Sequence, residues 1–242
     1  MTVGSLEPNI CSKPNVLSQS SSMPTPIKAV AFDLDGLMFN TEDIFDLAGK
    51  ELMRRRGKVM TEECHHAMLG RRPEEAFDAL KRLMDIDEPM EVLMLETKEL
   101  FEGFIDEHLA PMPGLHELLA DIDSRGIPRA VATSSPHEYM REMLGRYDLF
   151  DGFAHHLAAE DVTQGKPEPE IYLKAAQRLG VEPGEMMVLE DSEAGTRAAA
   201  AAGAVIISVP NRHTQVQDFS VATEVVSSLS VPVIRSYLDG LA

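Results

Sequence analysis

Short apolar segments alternate with helical patterns along most of this chain, and this alternation constrains the fold more than any other feature. The apolar runs have strand length and end at turn residues, whereas the intervening segments repeat apolar residues at helical intervals. The predicted strands are residues 28–33, 129–133, 152–157, 186–190 and 204–209, and the predicted helices are residues 115–124, 137–144, 170–179 and 194–202. Such alternation predicts an α/β fold, a doubly wound parallel sheet with helices on both faces.

The segment 40–109 differs from the rest because it shows helical patterns and no convincing strand. We expect it to be an inserted all-helical subdomain, flanked by an α/β core domain that residues 27–39 and 110–242 form together. Residues 1–26 are rich in Ser, Pro and Asn and offer little to bury, so we expect a disordered N-terminal arm.

The charge of the chain narrows its possible partners. The 242 residues carry a formal net charge of −18, which repels nucleic acid and anionic membranes, so we expect neither as a partner. The negative net charge still allows a local basic pocket for one small anion. Cys11 and Cys64 are too few for a disulfide framework, and no segment reads as a signal peptide or a membrane span. We expect a cytoplasmic protein, either a monomer or a weak homo-oligomer.

Ionisable side chains stand where two of the predicted strands end. Asp33 and Asp35 terminate the first strand ahead of Gly36, and Glu190 and Asp191 terminate the strand 186–190. Buried acids are costly unless something uses their charge, and clustered carboxylates without His or Cys suit a hard cation such as Mg²⁺. A turn-forming Asp-Gly and an N-cap of the helix 194–202 by Asp191 or Ser192 are the simpler alternatives.

Hydroxyl groups and one lysine complete this pattern. Thr133, Ser134 and Ser135 follow the second strand, where they could bind an anion or cap the next helix. Lys166 lies between Gly165 and Pro167, either as a positioned cation or as a solvated loop residue. Because the carboxyl ends of parallel strands share one edge of a sheet, we expect these groups to meet there.

Four motifs in this order resemble the haloacid dehalogenase superfamily, in the branch of the β-phosphoglucomutases and small sugar-phosphate phosphatases. They are FDLDGLMFNTE at 32–42, VATSS at 131–135, GKPEPEIY at 165–172 and VLEDSEAG at 188–195. The resemblance implies a Rossmann-like core, the helical segment 40–109 as a mobile cap, and phosphoryl transfer from a small phosphorylated metabolite.

The resemblance also implies catalytic roles. Asp33 would be the nucleophile that forms an aspartyl-phosphate, and Asp35 the general acid and base. Thr133 would hydrogen-bond the transferring phosphoryl group, and Lys166 would offset the charge on Asp33 and on the phosphoryl oxygens.

Metal and substrate contacts follow from the same resemblance. Asp191 would bind Mg²⁺ together with the Asp33 carboxylate and the Asp35 backbone carbonyl, and Glu190 would support the metal from nearby or through water. For the substrate we expect contacts from Ser134 and Ser135 and from two cap arginines, Arg71 and Arg72. A solvated helix start is the alternative for the two arginines.

Departures from the family pattern bear on the type of reaction. Phe45 stands where the β-phosphoglucomutases carry a cap histidine, and Pro136-His137 replaces their Lys-Asn pair. Both differences favour a phosphatase, with a phosphohexomutase as the alternative. A catalytically silent binding protein would lack Asp33, Lys166 or Asp191, and a dehalogenase would not need Asp35 or the metal-binding acids. Asn40 replaces a usual Asp, which we expect to affect the hinge more than the chemistry.

Overall fold

A computed structural model of the protein describes residues 26–68 and 73–240, together with Met1. Six strands form one sheet in the order β3-β2-β1-β4-β5-β6, and every neighbouring pair is parallel. The strands are β1 (Ala29–Phe32), β2 (Arg129–Ala132), β3 (His155–Leu157), β4 (Met186–Glu190), β5 (Val205–Ser208) and β6 (Glu224–Val225). The predicted parallel sheet is confirmed, and only β6, an exposed pair of residues, was not predicted.

The described residues contain α-helices both within the segment 40–109 and between the strands. They are α1 (Thr41–Arg55), α2 (Glu62–Met68), α3 (Pro73–Met84), α4 (Met90–His108), α5 (Leu115–Ser124), α6 (His137–Gly145), α7 (Glu170–Leu179), α8 (Glu193–Ala202) and α9 (Pro232–Leu238).

Both faces of the sheet are buried, as the continuous apolar strands predict. Val30 and Phe32 of β1 point to one face, where residues of α5 and α6 pack against them. Ala29 and Ala31 point to the other face, against residues of α7 and α8. This alternation follows from the two-residue period of a strand. Helices therefore cover both sides of the sheet, and its carboxyl edge remains for polar groups.

The helices α1 to α4 form one packed unit beside the sheet. α1 packs along α4, and α2 packs against α3. Their buried residues, among them Ile44, Leu80 and Leu93, are continuous with the apolar cluster on the sheet face that carries Phe32. Within 40–68 and 73–109, the chain is helical and contains no strand.

Asn40 ties together the two points where the chain enters and leaves this helical unit. Its backbone N–H donates to the Ala110 carbonyl at 3.1 Å, and its side-chain oxygen accepts from the Ala110 N–H at 2.7 Å. Its side-chain nitrogen donates to the His108 carbonyl at 3.0 Å. Asn40 thus bridges the two chain crossings, and its effect on a hinge stays a prediction.

Several predictions fall on parts of the chain outside the described residues. These are residues 2–25 of the proposed arm and the two cap arginines, Arg71 and Arg72. Among the helices that the structure describes, none combines the length and the apolar character needed to cross a membrane.

Candidate active site

Asp33 lies at the carboxyl edge of the sheet, directly after β1. Its backbone N–H continues the ladder to the Leu189 carbonyl at 3.0 Å, which fixes the residue between β1 and β4. Lys166 reaches over from the loop before α7, and its Nζ donates to Asp33 Oδ1 at 2.5 Å and to the Ala132 carbonyl at 3.0 Å. Both side chains are buried. The alternative of a solvated loop lysine is therefore wrong.

Glu190 is the anchor of the same cluster. Its Oε1 accepts from Lys166 Nζ and from the Tyr172 hydroxyl, both at 2.6 Å. Its Oε2 accepts from the backbone N–H groups of Asp191 and Ser192 and from the Ser192 hydroxyl at 3.0–3.2 Å. Five donors occupy a carboxylate that offers about four lone-pair sites. Glu190 is therefore suited to holding Lys166 and the loop after β4 in place.

Burial dominates the electrostatics of this cluster. Desolvation raises the pKa of Asp33 well above its ordinary value; Lys166 opposes the rise, while Glu190 and Asp35 add to it. Desolvation also raises the pKa of Asp191, and the neighbouring Asp33 and Glu190 raise it further. For Lys166, burial alone would lower the pKa, but the charges of Asp33 and Glu190 hold it well above its usual range. One ammonium group thus faces three carboxyls, an excess of acids that a cation would relieve.

The acids fit a metal ion by donor type and spacing. Asp33, Glu190 and Asp191 each offer a carboxylate oxygen within 4.8 Å of the others. An all-oxygen donor set suits a hard divalent cation. Asn211 orients Asp191 by donating from Nδ2 to Asp191 Oδ2 at 2.8 Å. Gly36 has φ +76°, and a Cβ there would stand 2.4 Å from the same Asp191 oxygen, so this turn requires glycine.

Asp35 is surrounded by hydroxyl groups from the segment after β2. The Ser135 hydroxyl donates to Asp35 Oδ2 at 2.6 Å, and Thr133 Oγ1 approaches the same oxygen at 3.4 Å. The Tyr139 hydroxyl donates to the other oxygen, Oδ1, at 2.9 Å. Ser134 is exposed to solvent. The three predicted hydroxyl residues thus divide into two that face Asp35 and one at the surface.

Glu42 adds a carboxyl that sequence reasoning did not single out. It lies in the first turn of α1, and burial raises its pKa to about 7, with Asp35 and Asp43 contributing. A helix N-terminus ordinarily favours an ionised acid. Here desolvation and the like charges of Asp35 and Asp43 outweigh that effect and bring the pKa of Glu42 close to neutral pH.

The other residues that the sequence analysis missed are Tyr139, Tyr172 and Asn211. Tyr172 ends the segment GKPEPEIY and could have been noticed there, whereas Tyr139 and Asn211 belong to no recognised motif. Asp33, Asp35, Thr133, Ser135, Lys166, Glu190 and Asp191 all meet at one edge of the sheet, as predicted.

Known proteins resemble this chain in both sequence and fold. A family model described as haloacid dehalogenase-like hydrolase matches residues 27–203. The phosphorylated carbohydrates phosphatase of Thermotoga maritima is 34% identical over 177 residues, which cover 73% of this chain and 82% of that protein. Hexitol phosphatase B of Escherichia coli K12 is 30% identical over 196 residues, with 80% and 88% covered.

A solved structure extends the comparison to the fold. The crystal structure of CbbY from Rhodobacter sphaeroides in complex with phosphate matches with a TM-score of 0.71 and 26% identity. The match covers 85% of this chain and 96% of that one. The similarity therefore spans both the sheet and the helical segment between β1 and β2.

Proposed function

This chain belongs to the haloacid dehalogenase-like hydrolases, and on that premise we propose that it is a Mg²⁺-dependent phosphatase of a small phosphorylated metabolite such as a sugar phosphate. The observation that carries the proposal is the buried contact between Asp33 and Lys166 at the carboxyl edge of the sheet. The names of the two similar phosphatases, phosphorylated carbohydrates phosphatase and hexitol phosphatase B, support this substrate class.

In the first half of the reaction, a carboxylate oxygen of Asp33 attacks phosphorus and forms an aspartyl-phosphate. The bond between phosphorus and the substrate oxygen breaks, and Asp35 gives that oxygen a proton. Lys166, already paired with Asp33, reduces the repulsion between the carboxylate and the anionic phosphoryl group. Thr133 and Ser134 donate hydrogen bonds to the phosphoryl oxygens.

In the second half, water replaces the Asp33 oxygen on phosphorus. Asp35 takes a proton from this water, inorganic phosphate leaves, and the Asp33 carboxylate is restored. The same carboxyl thus works once as an acid and once as a base, so it must be present in both protonation states.

The carboxylates of Asp33 and Asp191 and the backbone carbonyl of Asp35 would hold Mg²⁺. Glu190, which already accepts five hydrogen bonds, would support the metal indirectly. When bound, the ion supplies positive charge that lowers the barrier between an anionic nucleophile and an anionic substrate.

The helical segment 40–109 would be a cap over an active-site core of residues 27–39 and 110–242, with residues 1–26 as an arm. Asn40 joins the two chain crossings between cap and core. Substrate contacts from Arg71 and Arg72 remain a prediction. A cytoplasmic location and a monomeric or weakly associating state remain predictions from the acidic, cysteine-poor sequence.

A mutase is the second candidate because of the family branch that the motifs resemble. Phe45 argues against it: the side chain is apolar, stacks on Phe101 with a centroid distance of 4.3 Å, and offers no hydrogen bond to a sugar. A phosphatase needs only water as the second nucleophile.

Phosphorus NMR tests the two candidates together. The protein is incubated with Mg²⁺ and a mixture of phosphomonoesters that includes β-glucose 1-phosphate with a trace of its bisphosphate. We expect inorganic phosphate to grow from one component, which also names the substrate class. Conversion to glucose 6-phosphate without phosphate release would establish the mutase instead.

The isosteric variant Asp33→Asn checks the covalent route in the same experiment. It removes the attacking oxyanion and preserves the side-chain volume, so we expect turnover to disappear while the protein stays folded. If Asp33→Asn retained turnover, the aspartyl-phosphate mechanism would be wrong.

A further inference from the structure

Tyr139 links the carboxyl of Asp35 to the helical segment above it. The residue lies in the first turn of α6, and its hydroxyl donates to Asp35 Oδ1 at 2.9 Å. Its ring contacts Phe101 of α4 at a centroid distance of 6.0 Å and an interplanar angle of 44°. Phe101 in turn stacks on Phe45 of α1 at 4.3 Å and 27°. A continuous aromatic contact thus runs from the helices of the segment 40–109 to the side chain of Asp35.

The two oxygens of Asp35 have separate partners. Ser135 donates to Oδ2 at 2.6 Å, on the side of Thr133, whereas Tyr139 alone among these hydroxyls contacts Oδ1. Donors on both oxygens define the plane of the carboxyl, and without Tyr139 the carboxyl is held at Oδ2 alone by these hydroxyls. Tyr139 is the donor whose position depends on α4, because its ring packs against Phe101.

A hydroxyl group is chemically suited to this place. In the proposed function, on which this inference rests, Asp35 alternates between its protonated and ionised forms. A tyrosine hydroxyl donates to the ionised carboxylate and accepts from the protonated carboxyl, whereas a lysine or arginine can only donate. A cationic partner would hold Asp35 in its ionised form, so it could not serve as the acid.

We propose that Tyr139 is a positioning residue for Asp35, and that the aromatic contact through Phe101 and Phe45 makes this positioning depend on the placement of helices α1 and α4. Proton transfer to the leaving oxygen then becomes efficient only when these helices pack as they do here. Tyr139 acts through Asp35 and needs no contact with the substrate.

Leaving groups of different basicity test this role. A sugar or other alkyl phosphate needs a proton on the departing oxygen, whereas p-nitrophenolate departs without one. The value of kcat/KM reports the steps up to formation of the aspartyl-phosphate, so the later use of Asp35 as a base does not enter it. The measured quantity is the ratio of kcat/KM for the alkyl phosphate that NMR identifies to kcat/KM for p-nitrophenyl phosphate.

For Tyr139→Phe we expect this ratio to fall about tenfold or more, since general acid–base catalysis contributes ~10²–10⁴-fold. The kcat/KM for p-nitrophenyl phosphate should stay within about twofold of the wild type, because that step needs no acid. The matched control is Tyr147→Phe. Tyr147 also donates a hydroxyl hydrogen bond, to the Leu109 carbonyl at 2.5 Å, and its ring also contacts a phenylalanine, Phe39. Its variant should leave the ratio unchanged.

A second pair of variants tests the aromatic contact. Phe101→Leu should lower the ratio in the same direction, whereas Phe104→Leu, the same change on the same helix, should not. Phe104 contacts His108 instead of Tyr139.

The outcomes separate this inference from the proposed function. If the wild type releases phosphate from neither substrate, the proposed function is wrong, and the inference fails with it. If the wild type is active but Tyr139→Phe leaves the ratio unchanged, or lowers both values equally, the inference alone is overturned.

Discussion

Gly195 occupies a position where even one added carbon should disturb the active site. It lies in the first turn of α8, and a Cβ placed there would be 1.7 Å from Glu190 Oε1 and 1.9 Å from Glu190 Cδ. Ordinary van der Waals contact begins at 3.4 Å. Glu190 is completely buried and held by Lys166 and Tyr172. The variant Gly195→Ala therefore forces the Glu190 carboxylate away from its partners.

The energetic cost can be built from these contacts. Breaking a buried ion pair costs ~3–5 kcal/mol, and Glu190 and Lys166 form such a pair at 2.6 Å. Alanine regains up to ~1 kcal/mol because it favours a helix more than glycine does. We expect Gly195→Ala to lower the free energy of unfolding by about 2–4 kcal/mol, a large part of the ~5–15 kcal/mol typical of a protein. Since Lys166 also loses its tether, kcat should fall by up to ~10²-fold.

Urea denaturation and steady-state phosphate release measure the two effects. The matched control is Gly103→Ala, the same change in the helix α4, where a Cβ meets nothing within 4 Å. We expect this control to be as active as the wild type and up to ~1 kcal/mol more stable. If Gly195→Ala were as active and as stable as Gly103→Ala, Glu190 would not be held in place by Lys166 and Tyr172.

Two further predictions concern buried charge. Lys166→Met leaves the acids around Asp33 without their cation, so we expect no turnover and a loss of ~3–5 kcal/mol in unfolding free energy at pH 7. At pH 5 this loss should be smaller, because the acids take up protons. Denaturation curves at the two pH values measure the difference. Glu42→Gln removes a carboxyl whose pKa rises from 4.5 to about 7 on folding, mainly through burial. Folded Glu42 binds its proton more tightly than unfolded Glu42, so the wild type loses stability as the pH rises through this range. At ~1.36 kcal/mol per pKa unit the loss in unfolding free energy reaches ~3.4 kcal/mol. In metal-free buffer Glu42→Gln should therefore be more stable than the wild type at pH 8, and this difference should vanish towards pH 4. Equal stability of the two proteins at pH 8 would contradict the raised pKa of Glu42.

The edge of the sheet that carries the candidate active site could be predicted from the sequence, because the end of a strand is marked by residues next to it in the chain. Asp33 and the pair Glu190-Asp191 each follow an uninterrupted apolar run, and parallel strands place such ends together whatever the details of packing. The same logic located Thr133 and, through its Gly-Pro setting, Lys166. The two residues of β6 escaped notice because a strand so short carries no periodic pattern.

The contacts between side chains within the site could not be predicted from the sequence. Tyr139 and Asp35 are 104 positions apart, and Lys166 and Asp33 are 133 apart. Composition and periodicity contain no information about which of the four tyrosines or 40 acids will meet across such distances. Glu190 illustrates the difference: the sequence predicted a carboxylate that supports a metal from nearby, and the structure adds that five hydrogen bonds make it the anchor of Lys166.

The parallel α/β architecture, the edge that carries the candidate active site and the residue types at that edge could all be predicted from the sequence, because hydrophobic periodicity and strand termination are local properties. Tertiary packing was needed to show that Lys166 is buried between two acids, that Tyr139 hydrogen-bonds Asp35, and that burial raises the pKa of Glu42 to about 7. Each of these depends on desolvation and on distances between distant segments, which arise only when the helices pack on the sheet.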